Sequence, residues 1–121
     1  MRQSSVGERP EPKAKGDIVK VKVLIAPMCT EWQTWRAGKP SHELGHEGVG
    51  VVTDAAASTT LKAGDRVVVM PHAGCGVCPA CRSGEHIHCT EQRDLYAETG
   101  SESGIGCYAQ YLLKPDYLLW K

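Results

Sequence analysis

With 121 residues, the chain is long enough for one compact domain, and its 14 Lys and Arg balance its 14 Asp and Glu. The basic residues are not clustered, and no apolar run approaches the ~20 residues that span a bilayer. This composition argues against a nucleic-acid partner and against a membrane span. Phe is absent, so aliphatic residues, three Trp and four Tyr must form the core.

The N-terminal segment predicts a flexible lead-in over residues 1–16, because it is rich in Pro, Gly and charged residues. One domain is predicted to follow, over residues 17–121. The lead-in contains no apolar segment of the signal-peptide type. Without such a signal, the six cysteines are expected to be reduced thiols and metal ligands. The sequence therefore predicts a cytoplasmic location.

Short apolar segments separated by turns make up most of the domain. They predict strands at residues 18–26, 49–52, 67–70 and 108–115. The helical candidate at residues 31–37 is too short to organise a fold. Cys107, at the entry of the last strand, is predicted to be a small core residue. Many short strands and little helix predict a mostly β, barrel-like domain.

The densest group of metal-binding side chains comprises Cys75, Cys78, Cys81 and Cys89. This C-x-x-C-x-x-C-x7-C spacing lets four thiolates of one folded-back loop surround a single ion, and four thiolates leave Zn²⁺ no open position. Two disulfides and an iron–sulfur cluster are the alternatives, but cluster motifs often place Pro after the last cysteine, where this chain has Thr90. We therefore predict a structural zinc in a cysteine lobe at about residues 71–90.

Cys29 and His46 stand outside the cysteine lobe, each just beyond a predicted strand. Thiolate and neutral imidazole are both good zinc ligands, and two or three protein ligands plus water make an open, Lewis-acidic site. Taken singly, a lone Cys is more often a small buried residue and a lone His a surface residue. The spacing of Cys29 and His46 alone therefore does not predict a metal site.

Five segments of the chain, taken in order, resemble the N-terminal, GroES-like catalytic domain of the zinc-dependent medium-chain alcohol dehydrogenases. They are GDIVKVKVLIAPMC, LGHEGVGVV, LKAGDRVVVMP, GCGVCPACRSGEHIHC and GCYAQYLLKPD. The third and fifth are similar to the family's K-x-G-D-x-V and G-x-x-A-[EQ]-Y strands. The resemblance covers roughly residues 11–121 and implies a GroES-like, β-barrel-type fold.

The resemblance also implies roles for individual residues. Cys29 would be the first ligand of a catalytic zinc and His46, in the G-H-E motif, the second. Glu47 would be the adjacent acid, near the zinc and able to coordinate it in some states. The four cysteines of the lobe would be the structural zinc ligands.

Two parts of the family pattern are missing from this sequence. A third catalytic ligand, Cys or Glu, lies in the family beyond the segment that corresponds to Lys121. The Rossmann domain, with G-x-G-x-x-G between a strand and a helix, is also missing. NAD(P) would therefore bind only through an absent domain or a partner, and these residues alone are expected not to transfer hydride.

The chain departs from the family pattern at two further places, before and after the first predicted strand. The family's extra N-terminal strand has no counterpart in MRQSSVGERP. The family also places a proton-passing Ser or Thr two positions after the zinc cysteine, where this chain has Glu31. Either one residue is deleted and Thr30 is the relay, or the relay is lost and Glu31 is a ligand or base.

The resulting prediction is the zinc-binding catalytic domain of an alcohol dehydrogenase-like oxidoreductase. Its expected partners are a small-molecule alcohol or carbonyl substrate and either further copies of the chain or a separate nucleotide-binding chain. Two alternatives stay open. One is a non-catalytic, zinc-stabilised binding or assembly module. The other is a zinc-dependent lyase or hydrolase in which Glu47 or Glu31 acts as general base.

Overall fold

The computed structural model describes residues 3–121 as a small sheet with short helices in its connections. The strands are β1 (Ile18–Ile25), β2 (Gly48–Asp54), β3 (Arg66–Val69), β4 (Tyr111–Pro115) and β5 (Leu119–Trp120). The helices are α1 (Glu31–Arg36), α2 (Pro79–Arg82) and α3 (Leu95–Thr99), with 3-10 turns at His86–His88 and Asp116–Leu118. The prediction of a mostly β domain is confirmed.

Within residues 3–121 the five strands form one sheet in the order β4-β1-β2-β3-β5. Each neighbouring pair is antiparallel. The described part of the chain therefore contains no Rossmann-type parallel sheet. The end of β1 and the start of β2 lie side by side. The residues that follow β1 and precede β2 form a candidate site described below.

The main core cluster lies on one face of this sheet, and a smaller buried cluster of Ile18, Leu95 and Leu113 lies on the other face. In β1, Val19 and Val21 are fully buried, whereas Lys20 and Lys22 point to the other face, as strand alternation requires. Other members of the main cluster are Val52, Leu61, Val67, Val69, Cys107, Leu112 and Leu119. The prediction that Cys107 is a core residue is confirmed, since its side chain is only 2% exposed.

The last long strand begins at Tyr111, later than the predicted start at Tyr108. The backbone N–H groups of Cys107 and Tyr108 donate instead to the carbonyls of Gly45 (3.0 Å) and Leu44 (2.9 Å). This segment therefore pairs with the loop before β2 and not with β1. Residue periodicity could not show this because the partner loop lies about sixty positions earlier.

The helices are short and are defined by their caps. In α3, Asp94 Oδ1 accepts a hydrogen bond from Ala97 N, and Gly100 ends the helix with a positive φ of 69°. An Asp N-cap and a Gly just past the end are strong sequence markers of such a helix. None of the helices in residues 3–121 is both long and apolar enough to cross a membrane.

The segment before β1 lies against the loop that follows α3. Pro12 is buried, Lys13 N donates to Ser101 Oγ (3.0 Å), and Ser103 Oγ donates to the carbonyl of Pro10. The first two residues of the predicted lead-in lie outside the described residues. The predicted division into a lead-in and a domain stays a prediction.

Candidate metal centres

The cysteine lobe brings its four sulfur atoms together. The Sγ atoms of Cys75, Cys78, Cys81 and Cys89 all lie within 4.8 Å of one another. All six cysteines of the chain are free thiols, and the Sγ atoms of Cys75 and Cys81 are 4.0 Å apart, well beyond a disulfide bond. The disulfide alternative therefore does not fit the structure, whereas four converging sulfurs suit Zn²⁺.

Backbone N–H groups point at the sulfur atoms of the lobe. Cys78 N donates to Cys75 Sγ (3.3 Å), Cys81 N to Cys78 Sγ (3.4 Å) and Cys75 N to Cys89 Sγ (3.3 Å). Such donors favour the thiolate form, and those of Val77 and Cys78 lower the pKa of Cys75 to about 6.

Not every sulfur of the lobe favours ionisation in the same way. Burial, followed by the neighbouring thiols of the lobe, raises the pKa of Cys81 to about 12. A group of four such sulfurs can become fully ionised only if a cation compensates their mutual repulsion. The donor set, the N–H groups aimed at it and the need for a cation all fit a zinc ion.

Three hydrogen bonds to backbone carbonyls attach the entry of the lobe to the rest of the domain. Arg93 N donates to the carbonyl of Ala73 (2.8 Å), Lys114 Nζ donates to the carbonyl of His72 (2.9 Å), and the Tyr117 hydroxyl donates to the carbonyl of Gly74. The lobe is therefore held at its entry, and the Tyr117 ring also lies near His86, with 6.0 Å between the two ring centroids.

A second centre forms where the end of β1 meets the start of β2. One ligand atom each of Cys29, His46 and Glu47 lies within 4.8 Å of the other two. The sheet register causes this, because Ile25 pairs with Val49, so the chain beyond β1 passes beside the chain before β2. The side chains of His46 and Glu47 are 37% and 43% exposed, which leaves the centre open to a small molecule.

Glu31 supports this second centre from the buried side. Its Oε2 accepts a hydrogen bond from Cys29 N (2.8 Å), and its Oε1 lies 2.7 Å from His46 Nδ1. These two atoms are in contact but not aligned as a hydrogen bond, so within the described residues the buried Oε1 accepts no hydrogen bond. A carboxylate against one ring nitrogen leaves the other for a metal, and His46 Nε2 lies 4.0 Å from Glu47 Oε1.

The charge of Glu31 is maintained although the side chain is only 7% exposed. Burial raises the pKa of this carboxyl, but hydrogen bonds from the backbone N–H groups of Glu31 and Cys29, with the nearby His46, bring the pKa below its usual value. An ionised Glu31 is thus the fixed negative partner of the imidazole. The donors of the second centre, with this carboxylate behind them, fit a divalent metal such as zinc.

Thr30 and Tyr108 are two further polar residues near Glu31. Thr30 is the exposed N-cap residue of α1, and its hydroxyl makes no capping hydrogen bond. It lines a shallow cleft of about 370 Å³ beside α1. The Tyr108 hydroxyl donates to the carbonyl of Pro27 (3.1 Å), and burial, followed by the charge of Glu31, raises its pKa. Sequence analysis missed Tyr108, since no motif links it to Cys29.

The sequence matches the family described as the alcohol dehydrogenase GroES-like domain over residues 12–121. It is 32% identical over 118 residues to an L-threonine 3-dehydrogenase of Caldanaerobacter subterraneus subsp. tengcongensis, which covers 90% of this chain and 33% of the relative. It is 37% identical over 90 residues to a probable zinc-binding alcohol dehydrogenase of Mycobacterium tuberculosis, covering 69% of this chain and 23% of the relative.

Solved structures show the same similarity. The alcohol dehydrogenase TADH from Thermus sp. ATN1 superposes with a TM-score of 0.74 at 28% identity, over 95% of this chain and 35% of the other. The chain therefore spans about a third of the length of the curated relatives and solved structures that it matches in this way.

Proposed function

The chain belongs to the family of alcohol dehydrogenase GroES-like domains, and from this membership we propose that it is the zinc-binding catalytic domain of an alcohol dehydrogenase-like oxidoreductase. The proposed domain covers residues 17–121. One zinc, held by the four cysteines of the lobe, has a structural role. A second zinc, held by the second centre, has the catalytic role. The reduced thiols required by both centres suit a cytoplasmic protein.

The observation that supports the catalytic role is the convergence of Cys29, His46 and Glu47 beside the buried carboxylate of Glu31. These residues come from two separate segments, one after β1 and one before β2. Three different donor types at one partly exposed point suit a catalytic zinc better than a closed structural one. The four-thiolate lobe, by contrast, has no position left for a substrate.

In the proposed mechanism, a zinc at the second centre would act as a Lewis acid toward an alcohol or carbonyl oxygen. Cys29 and His46 would hold the metal, and Glu31 would orient the imidazole from the side of Nδ1. Because Glu31 is buried in this role, Thr30, the exposed residue between Cys29 and Glu31, is left as the proton-passing residue. This assignment corresponds to the deletion of one residue after Cys29.

The substrate is proposed to be a small-molecule alcohol or carbonyl compound, in keeping with the dehydrogenase names of the relatives. NAD(P) would be bound by a nucleotide-binding domain or a separate chain, since residues 3–121 have no Rossmann-type sheet. By itself, this domain is expected to bind metal and substrate but not to transfer hydride.

The zinc content of the purified chain tests the proposal. We expect two zinc ions per wild-type chain, one in Cys29→Ala and loss of the lobe zinc in Cys78→Ser. Circular dichroism should show that Cys29→Ala stays folded, because Cys29 lies in the connection after β1, outside the strands and the buried core. One zinc in both the wild type and Cys29→Ala would contradict a catalytic centre and support a zinc-stabilised binding module.

A second candidate function has one observation in its favour. Glu47 lies close enough to Cys29 and His46 to complete the coordination from within the chain. A zinc lyase or hydrolase needs such a self-contained centre with a carboxylate near the metal. Two zinc ions together with hydrolysis of an activated ester, abolished by Cys29→Ala, would favour this function over the dehydrogenase.

A further inference from the structure

Glu43 makes three hydrogen bonds to a distant part of the chain. Its carboxylate accepts from the backbone N–H groups of Gly104 (3.2 Å), Ile105 (2.6 Å) and Gly106 (2.7 Å). Three consecutive donors that converge on one carboxylate form a small anion-binding nest. Hydrogen bonds to an ionised acceptor are stronger than those between neutral groups, so this contact joins the two segments firmly.

The pairing continues along the chain from Glu43 toward His46. Tyr108 N donates to the carbonyl of Leu44 (2.9 Å), and Cys107 N donates to the carbonyl of Gly45 (3.0 Å). The next residue is His46. The loop that contains this metal-binding histidine is therefore fixed, residue by residue, to the segment 104–108.

The two segments approach too closely for ordinary side chains. A Cβ atom on Gly106 would lie 2.5 Å from the carbonyl oxygen of Leu44. A Cβ atom on Gly45, where φ is 90°, would lie 2.8 Å from Tyr108 Cδ1. The glycines permit the contact, whereas Glu43 supplies the side chain that holds it together.

The segment 104–108 also reaches the other half of the second centre. The Tyr108 hydroxyl donates to the carbonyl of Pro27, two residues before Cys29. The same short segment thus contacts the chain next to both metal-binding halves. A shift of this segment would change the distance between Cys29 and His46.

We propose that Glu43 is a positioning residue of the second metal centre, acting through the backbone of residues 104–108 to fix His46 opposite Cys29. This inference rests on the proposed function, because it assumes that the second centre binds a metal. It goes beyond the ligands and Glu31, since Glu43 touches neither the metal-binding atoms nor the imidazole. Its role is the placement of the loop that includes His46.

The test uses Glu43→Gln, which keeps the shape of the side chain but removes its charge and replaces one acceptor oxygen with a donor. Co²⁺ titration of the full chain reports both centres, because thiolate-to-cobalt absorption differs between a four-cysteine site and a site with one cysteine. We expect the affinity of the second centre to fall about 10–100-fold. The affinity of the lobe should stay unchanged and serves as an internal standard.

Two further variants separate positioning from general stability. Glu102→Gln makes the same charge change at an exposed residue of the neighbouring loop, and we expect wild-type affinity at both centres. Glu43→Asp keeps the charge with a shorter reach, so we expect a loss intermediate between wild type and Glu43→Gln. A purely structural role would lower the melting temperature without changing the ratio of the two affinities in the folded protein.

The outcomes distinguish this inference from the function on which it rests. If the wild type binds metal only in the lobe, the proposed catalytic centre is wrong. If the wild type binds two metal ions and both Glu43 variants retain wild-type affinity, the positioning role of Glu43 is wrong. Should Glu43→Gln fail to fold, the affinity of Glu43→Asp decides the question, with an unchanged value counting against the role.

Discussion

Glu31 is the residue that contacts both halves of the proposed second metal centre. One carboxylate oxygen holds the backbone of Cys29 and the other lies against His46 Nδ1. The sequence left its role open, since the C-T-E order allowed either a relay at Thr30 or a metal ligand or base at Glu31. Its burial and its two contacts favour the role of an orienting carboxylate, because the side chain faces the ring nitrogen remote from Glu47.

We predict that Glu31→Gln weakens zinc binding at the second centre by about 10–100-fold, as loss of an outer-shell partner of a metal-bound histidine commonly does. The amide still accepts from Cys29 N, but it lacks the charge that faces His46. Competition with a chelator measures the affinity. Glu85→Gln, at an exposed position of the lobe, is the matched control, and equal affinities in the two variants would rule out the orienting role.

Individual residues differ in how far the sequence could identify them. The four lobe cysteines are grouped by their spacing alone, and the structure brings their sulfurs together. Glu43 and Tyr108 carried no sequence marker, because their partners lie 61 to 63 and 81 positions away. Contacts of that range depend on how the loops pack, which periodicity and spacing do not report.

At the scale of secondary-structure elements, Arg93 joins β1, α3 and the lobe. Its guanidinium donates to both oxygens of Asp17, at 2.6 and 2.8 Å, and its Nε donates to Glu98 Oε1 (3.0 Å). Its backbone N–H donates to Ala73, at the entry of the lobe. The sequence predicted the strands from their alternation, but it could not predict this junction, whose members lie in three separate segments.

The Arg93 junction predicts a pH-dependent stability. Hydrogen bonds from Arg93 lower the pKa of Asp17 below 3.8 and of Glu98 below 4.5. A carboxyl whose pKa is lower in the folded state contributes stability above its unfolded pKa, and this contribution disappears as the pH falls through the folded pKa. The junction should therefore be fully effective at neutral pH and lost in acid.

Asp17→Asn tests this expectation in chemical denaturation. Because Asp17 is 44% exposed, we expect the variant to be less stable than the wild type by only about 0.5–1 kcal/mol at pH 7. The difference should shrink toward zero below about pH 4. Comparing the two proteins at each pH cancels the effect of zinc release, and Glu91→Gln is an exposed control. A difference that stays constant from pH 7 to pH 3 would disprove the assignment.

At the scale of the whole molecule, the outer face of the sheet presents an apolar row. Ile25 pairs with Val49, Val49 with Val68, and Val68 with Trp120, so these four side chains cross the sheet in register. Ile25, Val68 and Trp120 are 65%, 50% and 63% exposed. The row ends at β5, an edge strand of two residues, where a second chain could extend the sheet.

We predict that the isolated chain self-associates through this row, with β5 of two copies side by side about a twofold axis so that the rows become continuous. Sedimentation velocity over a concentration series should show a monomer–dimer equilibrium in the wild type. Trp120→Ser should shift it toward monomer, because it removes the large apolar side chain nearest the axis. Val77→Ser, which removes a 75% exposed apolar residue of the lobe, should leave the equilibrium unchanged.

If Val77→Ser disrupts the dimer as strongly as Trp120→Ser, association occurs through exposed apolar surface in general. A wild-type monomer at every concentration would instead mean that the exposed row does not pair with a second copy.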